Sequence, residues 1–390
     1  MDLLAWSMSA LAIFGSLATI AGALAVRRFA ARPPRPARHR PPVTILKPLY
    51  GDEPRLEEAL ASVCGQAYPK FQIVFGVQDP ADPALGVVER LRARFPALDI
   101  VVAIDPSVHG PNRKICNLIN MLPLARHETL VFSDSDLHVA PDYVERLVAS
   151  LEAPGTGLVT TLCAGLPTAP GLGARLGAAQ ITYGFLPGVL LGRALGRQDC
   201  LGTTMALRRA TLDQVGGLHG LVTHLAEDNV LGQRIRALGL TIALADTVPC
   251  TAVADPSLRA LWQHEMRWAR TIGGLEPFCF AASALQFPLF WGAVALAGGT
   301  GWNFAFFALA WAIRAAAARG SNRALHPGRR ELAAPFWLLP VRDVLSVVEI
   351  ATSYFGRRVV WRGHAMRAGR MPLGAPESWT APAPANIARR

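Results

Sequence analysis

A chain of 390 residues has room for two soluble domains, but an apolar fraction of 51% with only 17% charged residues favours a membrane protein that carries a soluble part. The net charge of +11 comes almost entirely from arginine, because Lys47, Lys70 and Lys114 are the only lysines. The arginines cluster beside apolar segments, which favours an anionic membrane surface over nucleic acid as the partner. The six cysteines are scattered, with no C-x-x-C pair and no zinc-ligand spacing, and argue against a zinc site or a disulfide framework.

Residues 1–27 are predicted to form an N-terminal transmembrane anchor. Residues 3–26 carry no charge and are long enough, as a helix, to span a bilayer. A basic, proline-rich linker follows at 28–41, and the positive-inside rule places it in the cytoplasm. Because the positive charge follows the apolar run instead of preceding it, the segment predicts a retained anchor and not a cleaved signal peptide.

Residues 42–256 are predicted to form a soluble α/β domain. Short apolar runs alternate there with amphipathic helical patterns, which is typical of a parallel sheet built from β-α-β units. The predicted strands cover 43–49, 71–79, 98–105 and 129–136, and the predicted helices cover 53–66, 81–96 and 112–125. Ligands of open α/β sheets bind beyond the carboxyl ends of the strands, so candidate site residues are sought there.

The chain changes character again after Asp255. Residues 257–276 mix tryptophan with arginine in an amphipathic pattern, which predicts an interfacial helix at a membrane surface. Residues 277–356 are predicted to form membrane-embedded or re-entrant helices, in which Arg342 pairs with Asp343 or Glu349 instead of facing lipid. Residues 357–390 form a tail that is first basic and then rich in alanine and proline.

Acidic residues stand at three strand ends or loops of the α/β domain, namely Asp79, Asp134 with Asp136, and Glu227 with Asp228. Residues two apart on a strand point the same way, so Asp134 and Asp136 could share one Mg²⁺ or Mn²⁺ ion. Each group alone has a simpler interpretation. Asp134 and Asp136 could lie in a solvated turn, and Asp79 could cap a helix after a turn. Glu227 and Asp228 could be acids on the first turn of a helix, where they complement its dipole. The three groups together, followed by the Trp/Arg-rich segment, favour a catalytic site.

Several motifs in chain order resemble one known family over residues 43–275. The chain resembles the family-two-like A-type glycosyltransferases and, within them, the bacterial hopanoid-biosynthesis glycosyltransferases and the ceramide glucosyltransferases. The segments that carry the resemblance are ILKPLYGDEP (45–54), VQDPADPAL (77–85), HGPNRKICNLINML (109–122), FSDSD (132–136), GTTMALRRATLDQVGG (202–217), LAEDN (225–229) and HEMRW (264–268). The resemblance implies a nucleotide-sugar-binding GT-A domain, which is Rossmann-like, between the anchor and C-terminal membrane-associated helices.

The resemblance also implies roles for individual residues. Asp228 would be the catalytic base, and Asp134 and Asp136 would hold the divalent cation. His264 stands where the family has Gln or Arg, so it could either donate a hydrogen bond or cap the segment. Lys114 could contact the nucleotide, or it could be a solvated lysine on the first turn of a helix. The full implied assignment is donor binding by Asp79, Lys114, Asp134, Asp136, Arg267 and Trp268, and acceptor-side positions for Glu227 and His264.

The implied function is a membrane-bound, inverting transfer of N-acetylglucosamine or glucose from a UDP-sugar to a lipid hydroxyl. A hopanoid is the expected acceptor, and a ceramide glucosyltransferase is the main alternative. A processive polysaccharide synthase would need more spanning helices, and a non-catalytic nucleotide-sugar-binding protein would have lost an acidic motif. We therefore expect a multi-pass protein of the bacterial inner membrane with a cytoplasmic catalytic domain, a UDP-sugar and a lipid as partners, and no nucleic acid.

Overall fold

The computed structural model describes residues 2–329, 332–356, 358–361, 364–367 and 369, so most of the predicted tail at 357–390 lies outside the described residues. The helices are α1 Asp2–Ala30, α2 Leu56–Cys64, α3 Ala84–Arg94, α4 Arg113–Met121, α5 Tyr143–Leu151, α6 Leu172–Gln180, α7 Leu186–Ala194, α8 Arg209–Gln214, α9 Glu227–Ala237, α10 Leu258–Leu275, α11 Pro277–Ala282, α12 Pro288–Ala295, α13 Gly301–Leu325 and α14 Leu338–Ser353. The strands are β1 Val43–Pro48, β2 Phe71–Val77, β3 Asp99–Ile104, β4 Thr129–Ser133, β5 Leu137–His138, β6 Thr156–Thr160, β7 Ala164–Pro167, β8 Thr204–Arg208, β9 Thr241–Leu244, β10 Cys250–Val253, β11 Arg358–Trp361 and β12 His364–Arg367.

A seven-stranded sheet in the order β3-β2-β1-β4-β8-β6-β9 forms the centre of the α/β part. The four strands β1 to β4 run parallel, which confirms the β-α-β pattern predicted from the sequence. Helices pack on both faces, so every residue of β1 and β4 is buried and both strands are nearly continuous apolar runs. β8 inserts antiparallel between β4 and β6, a pairing that the local pattern does not reveal.

The strand predicted at 129–136 is shorter in the structure, and the strand that follows it belongs to a different sheet. β4 ends at Ser133, the chain turns through residues 134–136, and β5 follows in a smaller three-stranded sheet of order β5-β10-β7. The expectation that Asp134 and Asp136 share one face of a continuous strand is therefore wrong. The turn forms because Asp134 hydrogen-bonds back towards the large sheet, whereas Asp136 pairs with β10 of the small one.

The small sheet is joined to the helical part by α6. A Cβ added to Gly177 of α6 would lie 2.8 Å from a methyl of Val253 on β10 and 3.0 Å from a methyl of Leu261 on α10. Only a glycine lets the three elements approach this closely. The predicted interfacial segment at 257–276 is the single helix α10, and it is therefore packed directly against the α/β part.

The N-terminal helix α1 presents small residues to its neighbours and large apolar residues outward. Ala5, Ser9, Ala12, Ser16 and Thr19 are buried, and α1 packs against α7, α12 and α13. The exposed face carries large apolar side chains, namely Leu4, Trp6, Ile13, Phe14, Leu17, Ile20 and Leu24. Small residues inside and large apolar residues outside are typical of a helix that packs within lipid.

Within the described residues, α1 is the one helix that is long and apolar enough to cross a membrane by itself, over Leu4–Ala30. A second candidate is the bent pair Pro277–Gln286 and Pro288–Gly298, whose two halves meet at 66°. A bend of this kind is found in broken spans and in re-entrant loops. Membrane association is thus supported, and one or two spans are consistent with length and composition.

The charged residues of α14 are buried in ion pairs. Arg342 lies 2.7 Å from a carboxylate oxygen of Glu349 and 2.8 Å from one of Glu265 on α10. Asp343, the other partner considered for Arg342, pairs instead with Arg314 of α13 at 3.0 Å. Arg342 thus pairs within its own helix as predicted, and with a second helix that the sequence did not suggest.

Candidate active site

The aspartate pair lies where the two sheets meet. The amide of Asp134, directly after β4, donates to the carbonyl of Thr203 at 3.1 Å. The carbonyl of Asp136 accepts from the amide of Ala252 at 3.2 Å, and its carboxylate accepts a hydrogen bond from the Thr251 hydroxyl. β10 therefore holds Asp136 from one side, while the loop before β8 holds Asp134 from the other.

The carboxylate of Asp136 is in an environment that disfavours its charge. Burial and the neighbouring Asp134 carboxylate raise the pKa of Asp136 to about 6. Among the described residues, no three His, Cys, Asp or Glu side chains are grouped as a complete metal site. Mg²⁺ typically takes one or two protein carboxylates together with substrate phosphates and water. The pair therefore fits a divalent cation that binds together with a diphosphate, and fits a permanently bound structural ion poorly.

Lys114 connects the aspartate pair to the start of α9. Its ammonium lies 2.7 Å from Asp134 Oδ1 and 3.3 Å from Glu227 Oε1, and it donates to the carbonyl of Gly202 at 3.0 Å. Burial disfavours the charged form of Lys114, but the two carboxylates outweigh that effect, so its pKa is raised. The solvated position considered for this lysine is wrong, since it is almost buried among carboxylates. Because Lys114 already compensates the charge of Asp134, Asp136 is the carboxylate of the pair with the greater need for a cation.

Both carboxylate oxygens of the buried Glu227 are held by protein groups. Lys114 lies at Oε1, and the Asn112 side-chain amide donates to Oε2 at 3.1 Å. The Asn112 side chain also accepts from the amide of Ile115 at 3.1 Å and so caps α4. Glu227 therefore ties the first turn of α9 to the first turn of α4.

Asp228, the predicted base, is half-buried on the first turn of α9. Its Oδ1 accepts from the amide of Asn229 at 2.7 Å. A Cβ added to Gly202 would lie 2.9 Å from Asp228 Oδ2, so the absence of a side chain at 202 lets this loop pass close to the carboxylate. Burial, and then the charge of Glu227, raise the pKa of Asp228 well above the usual range of a carboxyl group.

Lys47 belongs to the same site, although no role was predicted for it from the sequence. It is fully buried near the end of β1, and its ammonium donates to the backbone carbonyl of Asp134. Burial lowers the pKa of Lys47 to about 8, against the attraction of Asp136, Asp134 and Glu53. A lysine inside the otherwise apolar strand VTILKP is the signal that could have identified it.

A second group of predicted residues lies on α10. His264 Nδ1 is 3.1 Å from Asp255 Oδ2, and the His264 ring lies 4.4 Å from the Trp268 ring between centroids. The guanidinium carbon of Arg267 is 5.8 Å from the centre of the Trp268 ring. Asp255 follows β10 by two residues, so this group is attached to the strand that holds Asp136.

Asp79 lies apart from both groups. It is exposed after β2, which is separated from β4 by β1, and its Oδ1 accepts from the amide of Ala81 at 2.8 Å. The nearby Asp82 is buried and caps α3 through the amide of Ala84 at 2.9 Å. The structure thus brings five predicted residues into one partly buried cluster, namely Asp134, Asp136, Lys114, Glu227 and Asp228.

The central sheet and the small sheet beside the aspartate pair form an α/β domain of the GT-A fold class. A solved structure of this fold is the mannosyltransferase PcManGT from Pyrobaculum calidifontis, in complex with GDP-Man and Mn2+. It matches with a TM-score of 0.50 at 21% identity, over 89% of this chain and 99% of its own. The chain belongs to glycosyl transferase family 21, whose family model matches residues 4–372.

Curated relatives of this chain include several ceramide glucosyltransferases. Ceramide glucosyltransferase 1 of Caenorhabditis elegans is 22% identical over 248 residues, which are 63% of this chain and 53% of the relative. The ceramide glucosyltransferase of Komagataella phaffii is 34% identical over 113 residues, which are 28% of this chain and 22% of the relative. The match to the nematode protein therefore spans about half of that relative's length, and the match to the yeast protein spans less.

Proposed function

We propose that this chain transfers a glucosyl group from UDP-glucose to the hydroxyl of a ceramide-type lipid at a membrane surface, with inversion at the anomeric carbon. Membership of family 21 and the similarity to ceramide glucosyltransferases support this acceptor. The same relatives favour ceramide over the hopanoid that was expected from the sequence motifs, and glucose over N-acetylglucosamine. The apolar outer face of α1 supports a membrane location.

The observation that carries the proposal is that Asp228, whose pKa is raised, lies in the same partly buried cluster as the aspartate pair. An alcohol is a poor nucleophile until a carboxylate accepts its proton, and a base titrating near the working pH does this best. In one displacement, the lipid oxygen bonds to the anomeric carbon and the bond from that carbon to the diphosphate breaks. The hydroxyl proton passes to Asp228, and UDP leaves.

On the donor side, we assign the aspartate pair and the basic residues to the diphosphate. A divalent cation held by Asp136 and Asp134 would compensate the negative charge that develops on the leaving diphosphate. Arg267 would add a second positive group there, and Lys114 would keep Asp134 in place through its ion pair. Asp79, exposed at the end of β2, remains our candidate for a contact with the uracil or ribose.

On the acceptor side, His264 is our candidate for a contact with the lipid head group, and Trp268 beside it is assigned to donor binding. Their ring contact and the ion pair of His264 with Asp255 orient both side chains. Exposed apolar residues continue from this group along α10 and α11, including Ile272 and Phe278. We propose that Glu227 braces α9 and does not contact the acceptor, because Asn112 and Lys114 take both of its oxygens.

The proposal is tested by reconstituting the full chain in phospholipid vesicles with Mn²⁺ and a fluorescent short-chain ceramide. UDP-glucose and UDP-N-acetylglucosamine are supplied separately, and lipids are resolved by chromatography and mass spectrometry. We expect a single glucose on ceramide in a β linkage, which NMR of the anomeric proton identifies. Transfer to a triterpenoid alcohol and not to ceramide would contradict the acceptor, and a polymeric product would favour a processive synthase.

A further inference from the structure

A buried ion cluster joins α10 to α14 behind the residues proposed to bind substrate. Arg342 of α14 donates to both oxygens of Glu265 on α10, at 3.0 and 2.8 Å, and to Glu349 on its own helix at 2.7 Å. The side chain of Arg342 is 1% exposed, and those of Glu265 and Glu349 are 5% and 6% exposed. Ion pairs this deeply buried fix the geometry of the two helices, because no water can replace a lost contact.

Glu265 lies on the face of α10 that packs into the protein. Leu261, Glu265 and Ala269 follow a four-residue spacing, and all three are buried. Arg267, two positions after Glu265, projects about 200° around the helix from it, because successive residues advance by about 100°. The ion cluster therefore sets the rotation of α10 about its axis, and that rotation decides where the opposite face points.

The cluster also reaches the α/β part. The Arg342 guanidinium donates to the Ser346 hydroxyl at 3.1 Å, and that hydroxyl donates to the side chain of Gln180 at the end of α6 at 2.9 Å. α6 is the helix whose Gly177 contacts both β10 and α10. Arg342 thus contacts α10, the helix that carries Arg267 and Trp268. Through Ser346 it is also linked to α6, which packs against β10, the strand that holds Asp136.

We propose that Arg342 is a positioning residue that orients α10, so that Arg267 and Trp268 face the donor and acceptor only while the membrane-associated helix α14 is docked. This inference rests on the proposed function of the α10 residues. Arg342 itself touches neither substrate. The planar guanidinium is the feature that matters, because its Nη1 binds Glu265 while its Nη2 binds Glu349. A lysine keeps the charge but cannot hold two carboxylates in a fixed plane.

The chain contains a matched control in the second buried pair, Arg314 with Asp343. It lies in the same helical bundle, is at most 6% exposed and has a 3.0 Å contact, but it joins α13 to α14 and not to α10. We compare Arg342→Lys and Glu265→Gln with Arg314→Lys and Asp343→Asn in vesicle-reconstituted full chain. Thermal unfolding measures the general loss of stability in all four variants.

Two readouts separate positioning from stability. We expect Arg342→Lys and Glu265→Gln to lower kcat for glucosyl transfer roughly 10- to 100-fold, as misplacement of a substrate-positioning group does. With 5-fluorotryptophan labelling, the ¹⁹F resonance of Trp268, assigned with Trp268→Phe, should shift in these two variants and not in the controls.

The proposal is overturned if Arg342→Lys and Glu265→Gln keep the wild-type kcat and Trp268 resonance, or if the two controls change both to the same extent. If Arg342→Lys does not fold, because it also loses the contacts to Glu349 and Ser346, Glu265→Gln still changes only the contact between α10 and α14. If the wild-type chain transfers no glucose to ceramide, the proposed function fails. The Trp268 resonance still tests whether Arg342 orients α10, so the two failures are distinguishable.

Discussion

Asp228 combines two properties that a general base needs at neutral pH. Its carboxylate is close to the aspartate pair, and burial together with Glu227 raises its pKa towards the working range. The hydrogen bond from the Asn229 amide keeps the carboxylate oriented, and the missing side chain at Gly202 leaves room beside it. The space beside the Asp228 carboxylate therefore depends on Gly202, which lies in another loop.

We expect Asp228→Asn to lower kcat for glucosyl transfer by about 10² to 10⁴-fold, because a side-chain amide cannot accept the hydroxyl proton. UDP binding should persist, since the aspartate pair and Lys114 are untouched. Turnover with labelled UDP-glucose and calorimetric titration with UDP measure the two effects. Asp213→Asn, at an exposed position on α8, serves as the control and should change neither. Retained turnover in Asp228→Asn would contradict the assignment of the base.

Asp136 makes the stability of the protein depend on pH and on metal. Its pKa of about 6 lies above the usual value of about 4, so the folded chain holds the proton more tightly than the unfolded chain. The contribution of Asp136 to the free energy of unfolding is therefore fully present below about pH 4 and decreases as the pH rises to about 6 and above. A divalent cation would reverse this loss by compensating the ionised pair.

We therefore expect Mn²⁺ with UDP to raise the melting temperature more at about pH 7.5 than at about pH 5, where Asp136 is mostly protonated. Differential scanning fluorimetry at the two pH values, with and without metal, measures the difference. Asp136→Asn should abolish the pH-dependent part of the metal effect. An equal stabilisation at both pH values in the wild type would show that the cation binds elsewhere.

At the scale of elements, the starts of α4 and α9 form one unit. Asn112 caps α4 with its side-chain oxygen and holds Glu227 on α9 with its nitrogen, while Lys114 binds the other oxygen of Glu227. Both helices begin at the edge of the sheet where the aspartate pair lies. A change at Asn112 is therefore transmitted to Asp228, which is next to Glu227.

Asn112→Ala should lose about 1 kcal/mol for the cap and about 1 to 3 kcal/mol more for leaving a buried oxygen of Glu227 without its donor. Asn112→Asp is the matched variant, since it keeps the capping oxygen but replaces the donor with a carboxylate facing Glu227. We expect Asn112→Asp to reduce transfer activity despite the intact cap. Urea unfolding and initial rates measure both effects, and wild-type stability in Asn112→Asp would refute the pairing with Glu227.

At the scale of the whole molecule, exposed apolar residues stand at more than one place outside the α/β part. α1 has an apolar outer face, and exposed aromatic residues also stand on the C-terminal helices and just after them, including Phe278, Phe336 and Phe355. Exposed apolar side chains on several helices favour contact with a membrane or another protein. Membrane binding should therefore not depend on the anchor alone.

We expect a chain shortened to residues 31–390 to remain in the membrane fraction after extraction with alkaline carbonate, because the C-terminal helices still present their apolar surface. A chain shortened further to residues 31–256 should be released, since it lacks those helices. Fractionation followed by immunoblotting measures the distribution. Release of the 31–390 chain would assign all membrane attachment to α1.

Much of the fold could be predicted because local patterns carry it. The alternation of apolar runs with amphipathic helices predicted the parallel strands β1 to β4, and the uncharged N-terminal run predicted α1. The acidic residues of the partly buried cluster were also identified, because acids at strand ends and at helix starts are visible in the sequence. Lys47 was missed, since a single buried lysine has no periodic signal.

The sequence by itself determined the class of fold, the apolar anchor and the identity of the acidic residues, because each depends on residues that are neighbours along the chain. Only the tertiary structure decided that Asp134 and Asp136 lie on a turn between two sheets, that Glu227 is held by Asn112 and Lys114, and that Arg342 reaches Glu265. These contacts join segments about 75 to 115 positions apart. Local periodicity cannot specify such pairings, because they form only when packing of distant elements removes water from both partners.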